Sequence, residues 1–329
     1  MTFIEKVWYP TSLTYRLLKW LLLPLTGIFW LLTFVRRSAY AVGLLRTEKI
    51  PVPVIIIGNI SVGGNGKTPL VVFLANWLKQ QGYKPGILSR GYGGKSSFYP
   101  TSVEANSDAN KVGDEPILIR QRVDCPVVVD PKRPRGARYL VDKHLCDVIL
   151  CDDGMQHYAL KRDIEIAVVD GSRRYGNNCL LPMGPLREPM GRLEQVQFVI
   201  NNGGPVINNE VLMEFIPENL VNIKHKNKRQ PLSDVHQPVV AVAAIGNPQR
   251  FFDLLEQHSI ELADCLSFID HYQYQPQDIP DSMVIMTEKD AVKCREFAKE
   301  DWWFLPIRAK LPEDFLTALL TKLDSIKKE

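Results

Sequence analysis

The chain has 329 residues and a formal net charge of +3, with 40 Lys and Arg against 37 Asp and Glu. So small an excess, with no basic patch interleaved with aromatics, argues against nucleic acid as a partner, and the length suffices for two buried cores. Six cysteines (125, 146, 151, 179, 265 and 294) form no C-x-x-C pair, which argues against a disulfide framework or a zinc site and for a reduced, cytosolic protein.

The first predicted element is apolar. Leu17 to Val35 carries one charge, Lys19, and lies between Arg16 and Arg36-Arg37; these 19 residues approach the roughly 20 that a membrane span needs. Arg16, Lys19, Thr26, Thr33 and Arg37 fall on one stripe at three- and four-residue spacing. A helix lying in the membrane interface is therefore favoured, with a spanning helix and a buried helix as alternatives and a kink expected at Pro24. Basic residues at both ends give no orientation. Ala39-Tyr40-Ala41 has the spacing of a signal cleavage site, but Arg36-Arg37 interrupt the approach to it.

The strand predicted over Val52 to Ile57 runs into Ser61-Val62-Gly63-Gly64-Asn65-Gly66-Lys67-Thr68, and a helix follows over Leu70 to Gln80. The pattern G-x-x-x-x-G-K-[ST] turns backbone N–H groups around phosphate oxygens, aims a lysine at the terminal phosphates and offers a hydroxyl to Mg²⁺. Ser61 replaces the first glycine, but three glycines keep the loop permissive. Pro69 suits the first turn of the helix, whose N-terminus favours bound phosphate. Nucleotide binding at residues 61–68 is the reading, against a plain glycine-rich turn.

Further β-branched runs at Gly86 to Ser89, Pro126 to Asp130, Asp147 to Asp152, Ile164 to Asp170 and Phe198 to Asn201 alternate with helical stretches such as Glu115 to Arg122. The expected fold class is α/β, a P-loop NTPase-type doubly wound, mostly parallel sheet. A polar segment then leads to a second set of strands, Val239 to Ala244, Met283 to Met286 and Trp303 to Pro306. The expected domains are a membrane-associated segment over 1–48, a P-loop domain over 49–205, a connection over 206–238 and a smaller α/β domain over 239–329.

Asp152-Asp153 closes an apolar strand as carboxylates do that hold Mg²⁺ beside a P-loop, though a turn with a helix cap has the same composition. Gln156 is placed to lend an oxygen to the same metal, whereas His157 alone reads equally well as a satisfied structural histidine. Ser89-Arg90-Gly91-Tyr92-Gly93-Gly94 follows a strand at the ligand-binding edge, as a substrate loop or an exposed turn. Asp114 opens a helix, where a cap is the plain alternative, and Asp130 to Gly136 brings Lys132, Arg133 and Arg135 after another strand.

Several motifs occur together in order: residues 60–69, Leu88-Ser89-Arg90-Gly91-Tyr92-Gly93, Gly113-Asp114-Glu115-Pro116, Asp152-Asp153-Gly154-Met155-Gln156-His157, Pro185-Leu186-Arg187-Glu188, Phe268-Ile269-Asp270-His271 and Thr287-Glu288-Lys289-Asp290-Ala291-Val292-Lys293. This set resembles the tetraacyldisaccharide 4'-kinase (lipid A 4'-kinase) family over nearly the whole chain, with Met155 where that family commonly has Phe. The resemblance implies transfer of the γ-phosphoryl group of ATP, with Mg²⁺, to the 4'-hydroxyl of a tetraacylated glucosamine disaccharide 1-phosphate. That lipid A precursor and the inner-membrane lipid surface would be the partners, on the cytoplasmic face, with no protein partner required.

It also implies roles: Asp114 as the base, paired with His271; Lys67 on the γ-phosphate; Thr68, Asp152, Gln156 and Glu188 as metal or metal-water ligands, with Asp153 in support. Arg90, Arg133 or Arg135 is left for the 1-phosphate and Arg187 as a further substrate contact. The rival reading is a membrane-associated P-loop ATPase switch with no phosphorylated metabolite; Val62 stands where such switches carry a signature lysine.

Overall fold

Two mostly parallel sheets carry the fold, each fed by runs that read as buried strands. The structure is a computed structural model that describes residues 3–10, 12–270 and 272–328. Helices α1 (Phe3–Trp8), α2 (Leu13–Leu18) and α3 (Leu23–Ala41) come first. A 3-10 turn over Lys19–Leu22 joins α2 to α3, and Pro24 stands in the first turn of α3. The expected kink is thus a fresh helix start, where the missing proline N–H costs nothing.

Leu13–Ala41 as a unit is long and apolar enough to cross a membrane. It is fastened to the body by part of its polar edge. The buried Thr26 hydroxyl accepts from Met183 N (3.1 Å), Arg37 lies 3.9 Å from Glu188, and the Tyr40 and Tyr158 rings are 5.9 Å apart. Thr26 and Arg37, read from spacing as facing headgroups, therefore face protein. The apolar sides are bare, with Leu21 75% and Leu32 66% exposed.

The first sheet is assembled from β1 (Val54–Gly58), α4 (Lys67–Gln80), β2 (Pro85–Ser89), β3 (Thr101–Ser102), α5 (Ala109–Val112), α6 (Asp114–Arg122), β4 (Val127–Val129), α7 (Arg133–His144), β5 (Val148–Asp152), β6 (Ile164–Asp170), β7 (Phe198–Asn202) and β8 (Val211–Pro217). The second takes β9 (Leu220–Asn222), β10 (Arg229–Gln230), β11 (Val239–Ala243), β12 (Leu262–Ser267), β13 (Val284–Thr287) and β14 (Trp302–Leu305), with α8 (Pro248–Gln257) and α9 (Glu288–Cys294). The chain ends with β15 (Ile307–Lys310) and α10 (Glu313–Lys328).

Strand order in the first sheet is β15-β8-β7-β6-β1-β5-β2-β4-β3, antiparallel only at its two edges. Strand β1 is buried on both faces: Ile55 and Ile57 pack with Leu74 of α4, Val54 and Ile56 with Leu140 of α7. This two-sided burial is why it reads as one apolar run with no polar alternation. The second sheet runs β10-β9-β14-β13-β11-β12 and wraps its own cores around Phe251 and Trp302.

The expected connection over 206–238 is corrected here. It contains β8, which belongs to the first sheet, and β9 and β10, which belong to the second. The C-terminus is also corrected, because β15 pairs with β8, and Phe315 and Leu319 of α10 fill the core of the first lobe. The chain therefore crosses between lobes twice, at Glu218-Asn219 and at Pro306, and the crossings are tied by Glu218 N donating to Pro306 O (2.9 Å). A cavity of about 1210 Å³ lies at this crease, lined by Trp77, Arg120, Glu218 and Arg295.

Candidate active site

The ligand edge of a doubly wound sheet lies beyond the C-terminal ends of its strands, where β1 and β5 end side by side. Ile57 pairs with Asp152, so Asp152 closes its strand beside the residue that precedes Gly58 and the phosphate loop. Gly66 caps α4 with φ +83°, and a Cβ there would lie 2.2 Å from Asn202 Nδ2. Only glycine fits both that conformation and that space. Asn65 braces the loop from within, its amide donating to Ser61 Oγ at 3.0 Å, and Asn202 Nδ2 donates to Asn65 O at 2.9 Å.

Backbone bonds bring a second segment alongside. Val62 N donates to Pro185 O (2.8 Å) and Arg187 N to Ile60 O (2.6 Å). Arg187 and Glu188 are thereby fixed at the mouth of the phosphate loop. Arg187 reaches Asp153 at 3.3 Å, and Lys67 reaches the other oxygen of Asp153, also at 3.3 Å. Burial would raise the Asp153 carboxyl, but these two cations outweigh it and hold it below the usual carboxylate range.

Asp152 behaves in the opposite way. Burial, reinforced by Glu115 and Asp153 and opposed by Lys67 and Arg133, pushes its carboxyl up to about 7. Its Oδ2 receives Ser89 Oγ at 3.3 Å, while Oδ1 is buried without a hydrogen-bond partner. An orphaned buried carboxylate oxygen beside a phosphate loop fits a divalent cation. Gln156 Nε2 donates to Glu188 Oε1 (2.7 Å), and Arg192 (3.3 Å) and Tyr158 hold the other oxygen of Glu188. Among the described residues no cluster of three or more His, Cys, Asp or Glu side chains encloses a metal. Mg²⁺ does not need such a cluster, because it takes one or two carboxylates together with substrate phosphates.

The four arginines expected at the substrate divide. Arg133 is corrected: it is 1% exposed and donates to the backbone carbonyls of Asp130 (3.1 Å) and Asp152 (3.0 Å), a strut inside the fold. Arg135 is bidentate on Asp130, at 2.7 and 2.9 Å. Arg187 is engaged with Asp153 and lies 3.4 Å from Gln156 Oε1. Arg90 is exposed, with no carboxylate partner among the described residues. His157 is pushed down to about 4 by burial and by Arg133 and Arg90, as befits a neutral structural histidine.

Asp114 opens α6 and is 9% exposed, with Lys293 Nζ of the second lobe 3.6 Å from its Oδ2. His271 lies outside the described residues. The second lobe also reaches the phosphate loop: Gly246 N would lie 3.2 Å from a Cβ on Gly64, Asn247 donates to Asp170 (3.1 Å), and Arg250 to Asn202 (2.8 Å). Sequence reasoning gives Lys289 and Lys293 no role at the site. The i,i+3 spacing of Asp290 and Lys293 is legible in one dimension, but their approach to Asp114, far away in the chain, is not.

A strand feeding a glycine-rich loop, a lysine heading the next helix and a carboxylate closing the adjacent strand define the class, a P-loop nucleotide-dependent phosphotransferase. A family model described as "LpxK: Tetraacyldisaccharide-1-P 4'-kinase" matches residues 18–324. The chain belongs to the tetraacyldisaccharide 4'-kinase family. A relative from Pseudoalteromonas atlantica with that name is 56% identical over 305 residues, covering 93% of this chain and all (100%) of its own. One from Shewanella frigidimarina is 48% identical, covering 98% of this chain and 96% of its own. The crystal structure of LpxK from Aquifex aeolicus in complex with ATP superposes with a TM-score of 0.76 at 28% identity, covering 93% of this chain and 99% of that one.

Proposed function

We infer that this protein transfers the γ-phosphoryl group of ATP to the 4'-hydroxyl of a tetraacylated glucosamine disaccharide 1-phosphate in lipid A biosynthesis. One observation carries the lipid acceptor: the apolar helix α3 is bolted to the segment that borders the phosphate loop, through Thr26 on Met183 and Arg37 beside Glu188. An anchor at that point holds the phosphate loop at headgroup height. The acyl chains can then stay in the bilayer while the sugar reaches the site. We place the enzyme on the cytoplasmic face of the inner membrane, where ATP is available.

In this reading the amides of residues 61–68 cradle the phosphates and Lys67 neutralises charge that develops on the transferred group. Lys67 is drawn away from Asp153 as the γ-phosphate takes its place between them and Arg187. Asp114 receives the proton of the sugar hydroxyl as the new O–P bond forms and the bond to ADP breaks. Thr68, Asp152, Gln156 and Glu188 would hold Mg²⁺, with Asp153 in support; when bound, the ion neutralises phosphate charge. Arg90, exposed and without a carboxylate partner among the described residues, is available to meet the 1-phosphate. Docking of the second lobe excludes water and so limits futile hydrolysis of ATP.

Asp114→Asn tests the assignment. Phosphoryl transfer should fall by roughly 100-fold or more, the upper range for loss of a general base, with nucleotide affinity retained. Wild-type turnover in that variant removes Asp114 from the role.

A further inference from the structure

Lys293 projects from α9 of the second lobe into the interface with α6, and its side chain is only 3% exposed. It lies between two carboxylates, 3.6 Å from Asp114 Oδ2 and 3.5 Å from Asp290 Oδ1, with its ammonium 5.8 Å from the centre of the Tyr274 ring. Asp290 is wholly buried and cannot follow the lysine, because its Oδ2 accepts from Ala244 N (3.0 Å) and Thr287 Oγ1 (2.6 Å). The ammonium has no hydrogen-bond partner among the described residues and is held by ion pairing alone, between Asp290 of the second lobe and Asp114 of the first. Among the described residues, Glu115 on the same helix and Lys289 of α9 also lie near Asp114; Lys289 is paired with Glu115 at 2.9 Å and with Asp270 at 3.1 Å. His271, next to Asp270, lies outside the described residues.

We propose that Lys293 is a positioning residue for phosphoryl transfer: clamped between Asp290 and Tyr274, it holds Asp114 ionised and oriented, so that the base is armed only while α9 is docked on α6. The proposal rests on the reading of Asp114 as the base. An opposite charge within about 4 Å favours the ionised carboxylate, the only form that accepts a proton. The hydroxyl proton goes to Asp114. The step thereby depends on the lobe interface as well as on the phosphate loop. ATP bound with the lobes apart meets a base that is not set.

The test is the pH profile of kcat/KM for the lipid acceptor, measured on the full chain with ATP and tetraacyldisaccharide 1-phosphate in detergent micelles. In Lys293→Met the acid limb should move up by about 1–2 pH units, the usual effect of one close opposite charge. Activity then falls about 10- to 100-fold below the limb and recovers above it, with KM for ATP unchanged. Lys293→Arg should return the limb toward its original position. Because methionine strands the buried Asp290, the charge-balanced Lys293→Met/Asp290→Asn variant is measured too; asparagine keeps an acceptor oxygen for Ala244 N and Thr287. That variant should show the same displaced limb with a melting temperature near wild type.

An unmoved limb in the folded double variant, with activity lowered equally at every pH, makes Lys293 merely structural and overturns the proposal. If Asp114→Asn is inactive while the limb stays put, only the role of Lys293 fails. An active Asp114→Asn overturns the base assignment and this proposal with it.

Discussion

Gly113 stands at φ +89° immediately before Asp114, and a Cβ at that position would lie 2.6 Å from the carbonyl oxygen of Tyr92. The glycine lets the chain turn hard against the loop after β2, and so sets the direction in which Asp114 enters α6. Gly113→Ala should lower turnover roughly 10- to 100-fold, the range expected when a reacting group is misplaced by about 1 Å, with nucleotide affinity preserved. Steady-state kinetics with an ATP-binding titration checks this; unchanged turnover refutes it. The sequence puts Asp152 at a strand end and Lys67 ahead of a helix, and they stand at the end of β5 and the head of α4, because strand, loop and helix are contiguous and local order decides their position. It misplaces Arg133, because a cation after a strand reads the same whether it points to solvent or, as here, braces two buried carbonyls.

At the scale of elements, the contact of α6 with α9 carries the energetic tension of the lobe interface. Glu288, at the start of α9, is held by burial at about 7, up from an ordinary 4.5, although Arg122 works against the rise. Folding therefore favours its protonated form. The stability it contributes is whole below pH 4.5 and is lost as pH rises to about 7. Glu288→Gln should match wild-type stability near pH 4.5 and exceed it by on the order of 2 kcal/mol at pH 8, since each tenfold change in proton affinity is worth about 1.4 kcal/mol. Denaturant unfolding at the two pH values measures the difference; a glutamine variant equal to or weaker than wild type at pH 8 contradicts it. Strands such as β1 are legible in the sequence because buried parallel strands are apolar throughout. Strand β8 is not: Val211–Pro217 follows a polar Asn-Asn-Gly-Gly stretch, and its antiparallel partner is β15, far along the chain.

Across the whole molecule, the paired crossings at Glu218-Asn219 and Pro306 make a narrow hinge beside a cavity of about 1210 Å³. The lobes touch through Lys289 on Glu115 and through the close approach of Gly64 and Gly246, directly over the phosphate loop. We predict that the lobes part to load a nucleotide there and return to complete a site around Asp114. Small-angle scattering should show smaller dimensions with an ATP analogue and acceptor together than with neither; equal dimensions argue against closure. Composition alone puts the connection between the lobes over 206–238, because the sheet membership of short strands is a long-range property that composition does not record. The most direct measurement incubates the purified protein with γ-labelled ATP, Mg²⁺ and tetraacyldisaccharide 1-phosphate and follows the label. A lipid 4'-kinase yields labelled phosphate on the disaccharide lipid; ATP hydrolysis that leaves the lipid unlabelled contradicts it and identifies an ATPase switch instead.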